Sequence, residues 1–219
     1  MPGTPRGERQ ATAYGTLLAR SLSPGTRVEV HYAPTERAWA TAEAVHAALA
    51  DAGMAVDSCH LENGVRNLQV LVGDRELEPT QAHALLRGSA GAAAGADEGW
   101  AVEASRFWRA HEHDGDAMGF WLRTPLLWHE SPSSVVRRLL ATCAQLTGRA
   151  ADDGHLVAAT HSGCLRALVT WAGGTDPGEP DYGEETRLAV DLSAARVTIG
   201  YRTESWTMPL PELGVGTVR

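Results

Sequence analysis

Residues 154–160 read G-H-L-V-A-A-T, and the chain continues through His161-Ser162-Gly163 into a helical pattern over residues 164–171. A nearly unbroken apolar run of this length suits a parallel strand buried on both faces. Strand, small turn and helix in immediate succession form the repeating unit of an α/β sheet. His161 then stands at the carboxyl end of the sheet, where open α/β folds take their ligands. The helix that follows brings free N–H groups and a positive dipole end to the same crevice, which suits a phosphate.

A second segment repeats the pattern near the start of the chain. Residues 27–32 (R-V-E-V-H-Y) alternate as a strand, and Ala33-Pro34-Thr35 turns the chain. Thr35 is placed to cap a helix running to about residue 52, with Ala38, Ala42, Val45 and Leu49 on its apolar face. Arg37 falls in the first turn of that helix, where a permanently charged guanidinium can fork onto phosphate oxygens.

The rest of the chain supplies further alternation. Helices are expected over residues 7–22, 79–86 and 100–113, and another begins at Ser131-Pro132. Strands are expected over 54–61 and 67–72, and residues 88–99 read as an Ala/Gly-rich mobile loop. Two alternating stretches at 187–192 and 196–202 pair as a C-terminal hairpin, with Leu188, Val190 and Leu192 facing Val197, Ile199 and Tyr201. The predicted fold is α/β, three-layer α/β/α, with a mostly parallel sheet and a C-terminal antiparallel hairpin. A length of 219 residues suits one domain with a sizeable core.

Composition removes several function classes. A net charge of −8 argues against nucleic-acid binding, which needs a basic surface. No run approaches the about 18 apolar residues of a membrane span, and no secretory leader opens the chain. All basic residues are Arg, so a Walker A lysine and Schiff-base chemistry are excluded. Cys59, Cys143 and Cys164 are too scattered for a disulfide framework or a zinc site and read as reduced thiols, which points to the cytoplasm.

Taken together, the motifs resemble the histidine phosphatase (phosphoglycerate mutase-like) superfamily. That family carries Ser-Pro-x-x-Arg-Ala-x-x-Thr-Ala after a strand, matched here from Ala33 to Ala42 with a departure at Ala33. It later carries Thr/Ser-His-Gly-Gly and Arg-Ala-Leu, matched by Thr160-His161-Ser162-Gly163 and Arg166-Ala167-Leu168 with a departure at Ser162. His129-Glu130-Ser131-Pro132 resembles the element that holds the family's proton donor. The opening Thr4-Pro5-Arg6-Gly7-Glu8-Arg9-Gln10-Ala11 resembles the start of the family's first helix.

The resemblance implies phosphate-monoester hydrolysis through a phosphohistidine. Arg37 and His161 would bind the phosphoryl group, His161 would also be catalytic, and Glu130 would be the proton donor. No cofactor and no metal are implied, and the partner would be phosphate or a small phosphorylated substrate. The whole chain, 1–219, would be a single such domain, with 62–128 as a variable insertion or cap region. The family's Arg-His-Gly strand, which supplies the nucleophilic histidine and a first phosphate-binding arginine, has no counterpart here. Two explanations stand open: the recorded sequence starts late, or the chain is a non-catalytic relative that binds phosphate esters. Either way an unfilled strand position would expose neighbouring edges and core.

Two rival motifs are weaker. His111-Glu112-His113-Asp114-Gly115-Asp116 hints at a metallo-hydrolase, yet Gly115 and Asp116 stand where Asp and His are needed. Thr160-His161-Ser162-Gly163-Cys164 lacks the first glycine of a nucleophile elbow. His31, two residues before the turn, reads as structural.

Overall fold

The alternating segment around Val28 and Val30 is a strand, and it organises a parallel sheet. In the computed structural model, which describes residues 4–89, 99–149 and 154–211, the elements in chain order are α1 (Pro5–Ser21), β1 (Arg27–Tyr32), α2 (Glu36–Asp51), β2 (Ala55–Val56), β3 (His60–Leu61), β4 (Val70–Val72), β5 (Arg75–Leu77) and α3 (Pro79–Ser89). There follow α4 (Gly99–Asp114), α5 (Ala117–Arg123), α6 (Pro132–Thr147), β6 (His155–Ala159), α7 (Ser162–Gly173) and the strands β7 (Thr186–Asp191), β8 (Arg196–Tyr201) and β9 (Glu204–Pro209). They form two compact units. One holds residues 4–66, 137–149, 154–161 and 180–211; the other holds 67–89, 99–136 and 162–179.

In the first unit, β1 pairs in parallel with β6 along one side and with β2 and then β3 along the other. The single strand predicted over 54–61 is two short pieces, because Asp57, Ser58 and Cys59 leave the ladder between them. α1 and α2 pack on each other, and α2 covers β1, β2 and β6. Val28, Val30, Val45 and Leu49 are the buried centre of this packing, together with Ala11, Ala19 and Ala42. Each larger side chain contributes about 1.5–3 kcal/mol by leaving water. Gly15 lets the two helices touch: a Cβ there would lie 2.8 Å from that of Ala48.

β6 departs from expectation. Its apolar sequence predicts burial on both faces, but among the described residues it pairs with β1 alone. His155 and Ala158 are exposed, and Leu156, Val157 and Ala159 only half-buried. The Ala159 carbonyl accepts from the Ala33 N–H. Parallel pairing alternates in direction, so Leu156 and Ala158 turn their N–H and C=O groups away from β1.

The C-terminal pairing brings Leu188 opposite Ile199 and Val190 opposite Val197. Thr186, rather than Leu192, stands opposite Tyr201, and Leu192 lies exposed beyond the strand. β9 adds a third antiparallel strand after a turn in which Arg202 takes φ +52°.

In the second unit, β4 and β5 form an antiparallel pair. Val70, Ala82, Trp100, Ala101 and Ala104 pack as its core. Gly88 and Ser89 belong to α3 and Gly99 to α4, so these parts of the expected loop are helical; residues 90–98 lie outside the described residues. No helix among the described residues is long and apolar enough to cross a membrane.

Candidate functional site

Arg37 and His161 meet at the carboxyl ends of β1 and β6. Thr160, the residue after β6, donates its hydroxyl to the Val65 carbonyl at 2.7 Å, which holds the strand end in place. Beyond β1, Ala33 is fully buried and its N–H donates to Ala159, so the two chains stay paired up to the turn. Thr35 then caps α2 by accepting from the Ala38 N–H at 3.3 Å. These constraints set Arg37 in the first turn, half-buried, with one guanidinium nitrogen 3.1 Å from His161 Nδ1. Two residues 124 positions apart, both expected in a phosphate pocket, are in contact.

The contact defines the state of the imidazole. His161 is 9% exposed. Burial first, and the Arg37 charge second, pull its pKa down to about 3. The ring is therefore neutral near pH 7. An arginine can only donate, so Nδ1 accepts and the ring proton resides on Nε2. His161 is a hydrogen-bond donor in this state. It has no spare nitrogen lone pair for attack on phosphorus.

Glu130 belongs to the second compact unit. Its backbone is held on both sides, since its N–H donates to the Gln69 carbonyl at 2.7 Å and its carbonyl accepts from the Trp121 indole at 2.8 Å. Glu103 on α4 gathers the segment that leads to it. Its carboxylate accepts from the Leu127 N–H (2.7 Å) and the Trp128 N–H (2.9 Å), and lies 3.4 Å from His129 Nδ1. Burial lowers the His129 pKa, and Glu103 opposes that shift. The signal for Glu103 was an acid at core spacing among Trp100, Ala104 and Phe107, a position that demands polar partners.

The arginine of the Arg-Ala-Leu motif has a local role. Arg166 on α7 is 1% exposed and donates to Asp116 and Asp176, each at 2.5 Å, with Glu179 at 3.2 Å. Asp116 also caps α5 through the Gly119 N–H. His31 is buried in β1, its ring 5.5 Å from that of His60. The acidic stretch after His111 closes α4 and leads to the Asp116 cap. Among the described residues, no group of three or more His, Cys, Asp and Glu side chains is placed to hold a metal ion.

No family model and no curated protein matches the sequence. Solved structures do. One described as mycobacterial hydrolase 1 superposes with a TM-score of 0.51 at 17% identity, over 95% of this chain and 90% of its own. A mycobacterial glucosyl-3-phosphoglycerate phosphatase complexed with VO3 superposes with a TM-score of 0.50 at 18% identity, over 86% of this chain and 82% of its own. The fold is thus α/β and phosphoglycerate mutase-like, with a parallel sheet and a C-terminal antiparallel strand set.

Proposed function

We infer that the chain is a member of the histidine phosphatase superfamily and serves, over its whole length, as one phosphate-ester-handling domain of a hydrolase fold. The observation that carries this reading is the Arg37–His161 contact at the carboxyl ends of adjacent parallel strands. Arg37 supplies a permanent cation suited to the oxygens of a phosphoryl group, and His161 meets it through Nδ1. Glu130 is the proposed proton donor to the leaving oxygen, its backbone fixed by Gln69 and Trp121. The ligand is inorganic phosphate or a small phosphate monoester, with neither nucleic acid nor membrane as partner. Three cysteines that form no disulfide among the described residues fit a reducing cytoplasm.

In the complete arrangement, a histidine takes the phosphoryl group and water releases it. This chain holds no Arg-His-Gly, and the tautomer of His161 gives that ring no means of replacing the nucleophile. Binding is therefore expected to outlast turnover. Among the described residues β6 pairs on one side alone, which supports the view that a strand belongs beside it.

The test is hydrolysis of a generic aryl phosphate by these 219 residues and by a version extended upstream with a strand ending in Arg-His-Gly. Turnover and an acid-labile phosphohistidine are expected only in the extended protein. A phosphohistidine formed by the present chain would show that another histidine is the nucleophile. Inactivity of both, with phosphate still bound, would favour the second reading: a pseudophosphatase that recognises phosphate esters without cleaving them.

A further inference from the structure

On the other side of β1 from His161 lies a hollow of ≈ 320 Å³ lined by Tyr32, Pro34, Thr35, Glu36, Trp39 and Leu61. It is a shallow, largely open depression. Tyr32 and Leu61 are register partners at the ends of β1 and β3. Glu36 and Trp39 stand one helical turn apart and share a face of α2. Trp39 is 50% exposed and Leu61 54%, a large aromatic and a large aliphatic left in water beside each other.

Arg37 is two residues from Trp39 and so points to a different side of the helix, toward β6 and His161. The turn at residues 34–36 is a wall of the hollow and also leads directly to Arg37. Adjacent strands lie about 4.8 Å apart, so β6, β1 and β3 together span roughly 10 Å. A ligand with its charge at Arg37 needs only that reach to lay its other end on Trp39 and Leu61.

We propose that this hollow is the subsite for the alcohol part of the phosphate ester, and that it selects a flat, apolar, aromatic alcohol. The assignment rests on the phosphate role of Arg37 and His161. Trp39 offers a ring face for stacking, and Leu61 and Tyr32 supply apolar walls.

Calorimetric titration with 2-naphthyl phosphate and with inorganic phosphate tests the subsite. The wild-type chain is expected to bind naphthyl phosphate at least tenfold more tightly than phosphate. Trp39→Ala is expected to erase that advantage and Leu61→Ser to reduce it several-fold, with thermal melts confirming that both variants fold. Equal affinity of the wild type for both ligands overturns the subsite and leaves the phosphate pocket standing. So does an advantage that survives both substitutions. Failure to bind either ligand overturns the phosphate pocket itself, and the subsite with it.

Discussion

At the scale of the residue, the site turns on one hydrogen bond. Arg37 donates to His161 Nδ1, and this both assigns the tautomer and adds a positive charge beside a ring already disfavoured as a cation by burial. The two causes are separable. Arg37→Gln removes the charge and keeps a polar side chain, so the His161 pKa is expected to rise from about 3 but to stay below 6.5, because burial is the larger cause. Imidazole NMR titration measures it, and a value at or above 6.5 would show that Arg37 carries most of the shift. Both residues were legible in the sequence because strand, turn and helix placed each within a few positions of a recognisable break. Glu103 was not. Its core spacing on α4 calls for polar partners, but these are Leu127, Trp128 and His129, 24 to 26 residues away, and local spacing does not say which residues they are.

At the scale of the element, β1 and α2 match their predicted spans closely, because alternation and an N-cap are local properties. β5 escaped notice because only Leu77 in it is apolar. β9 mixes Glu204, Ser205 and Thr207 with its two half-buried apolar residues, Trp206 and Met208, which makes a weak alternating signal. The C-terminal half of the second unit hangs on Arg166, which joins the α5 cap to the loop after α7. Arg166→Met is expected to cost about 1.5–3 kcal/mol, since Asp116 and Asp176 lose the closer of the two arginines they share and keep only Arg123 at 3.9 and 3.7 Å. Urea unfolding measures this, and a loss under about 1 kcal/mol would mean that the clamp is dispensable.

At the scale of the whole molecule, buried histidines govern the response to acid. His31, His129 and His161 all have lowered pKa values, with burial as the leading cause. A base held below its unfolded value binds protons more readily when unfolded. The stability it contributes is complete above about pH 6.5 and is lost as the pH falls toward the folded value. Each of the three is expected to remove up to about 1.4 kcal/mol per pH unit over that window. Asp116, held below the usual carboxylate range chiefly by its hydrogen bond from Arg166, adds its own loss only below about pH 4. Urea midpoints from pH 7 to pH 5 check the sign, which should be a steady decline.

The one-sided pairing of β6 among the described residues also sets a pattern in time. The amides of Val157 and Ala159 point into the ladder with β1, whereas those of Leu156 and Ala158 point outward. Neighbouring amides along one strand thus exchange with deuterated solvent on different clocks. The inward pair waits for the sheet to open, and the outward pair, outside that ladder, exchanges sooner. Any chain that settles against this edge would bring the two rates together, so the strand reports its own occupancy through its backbone.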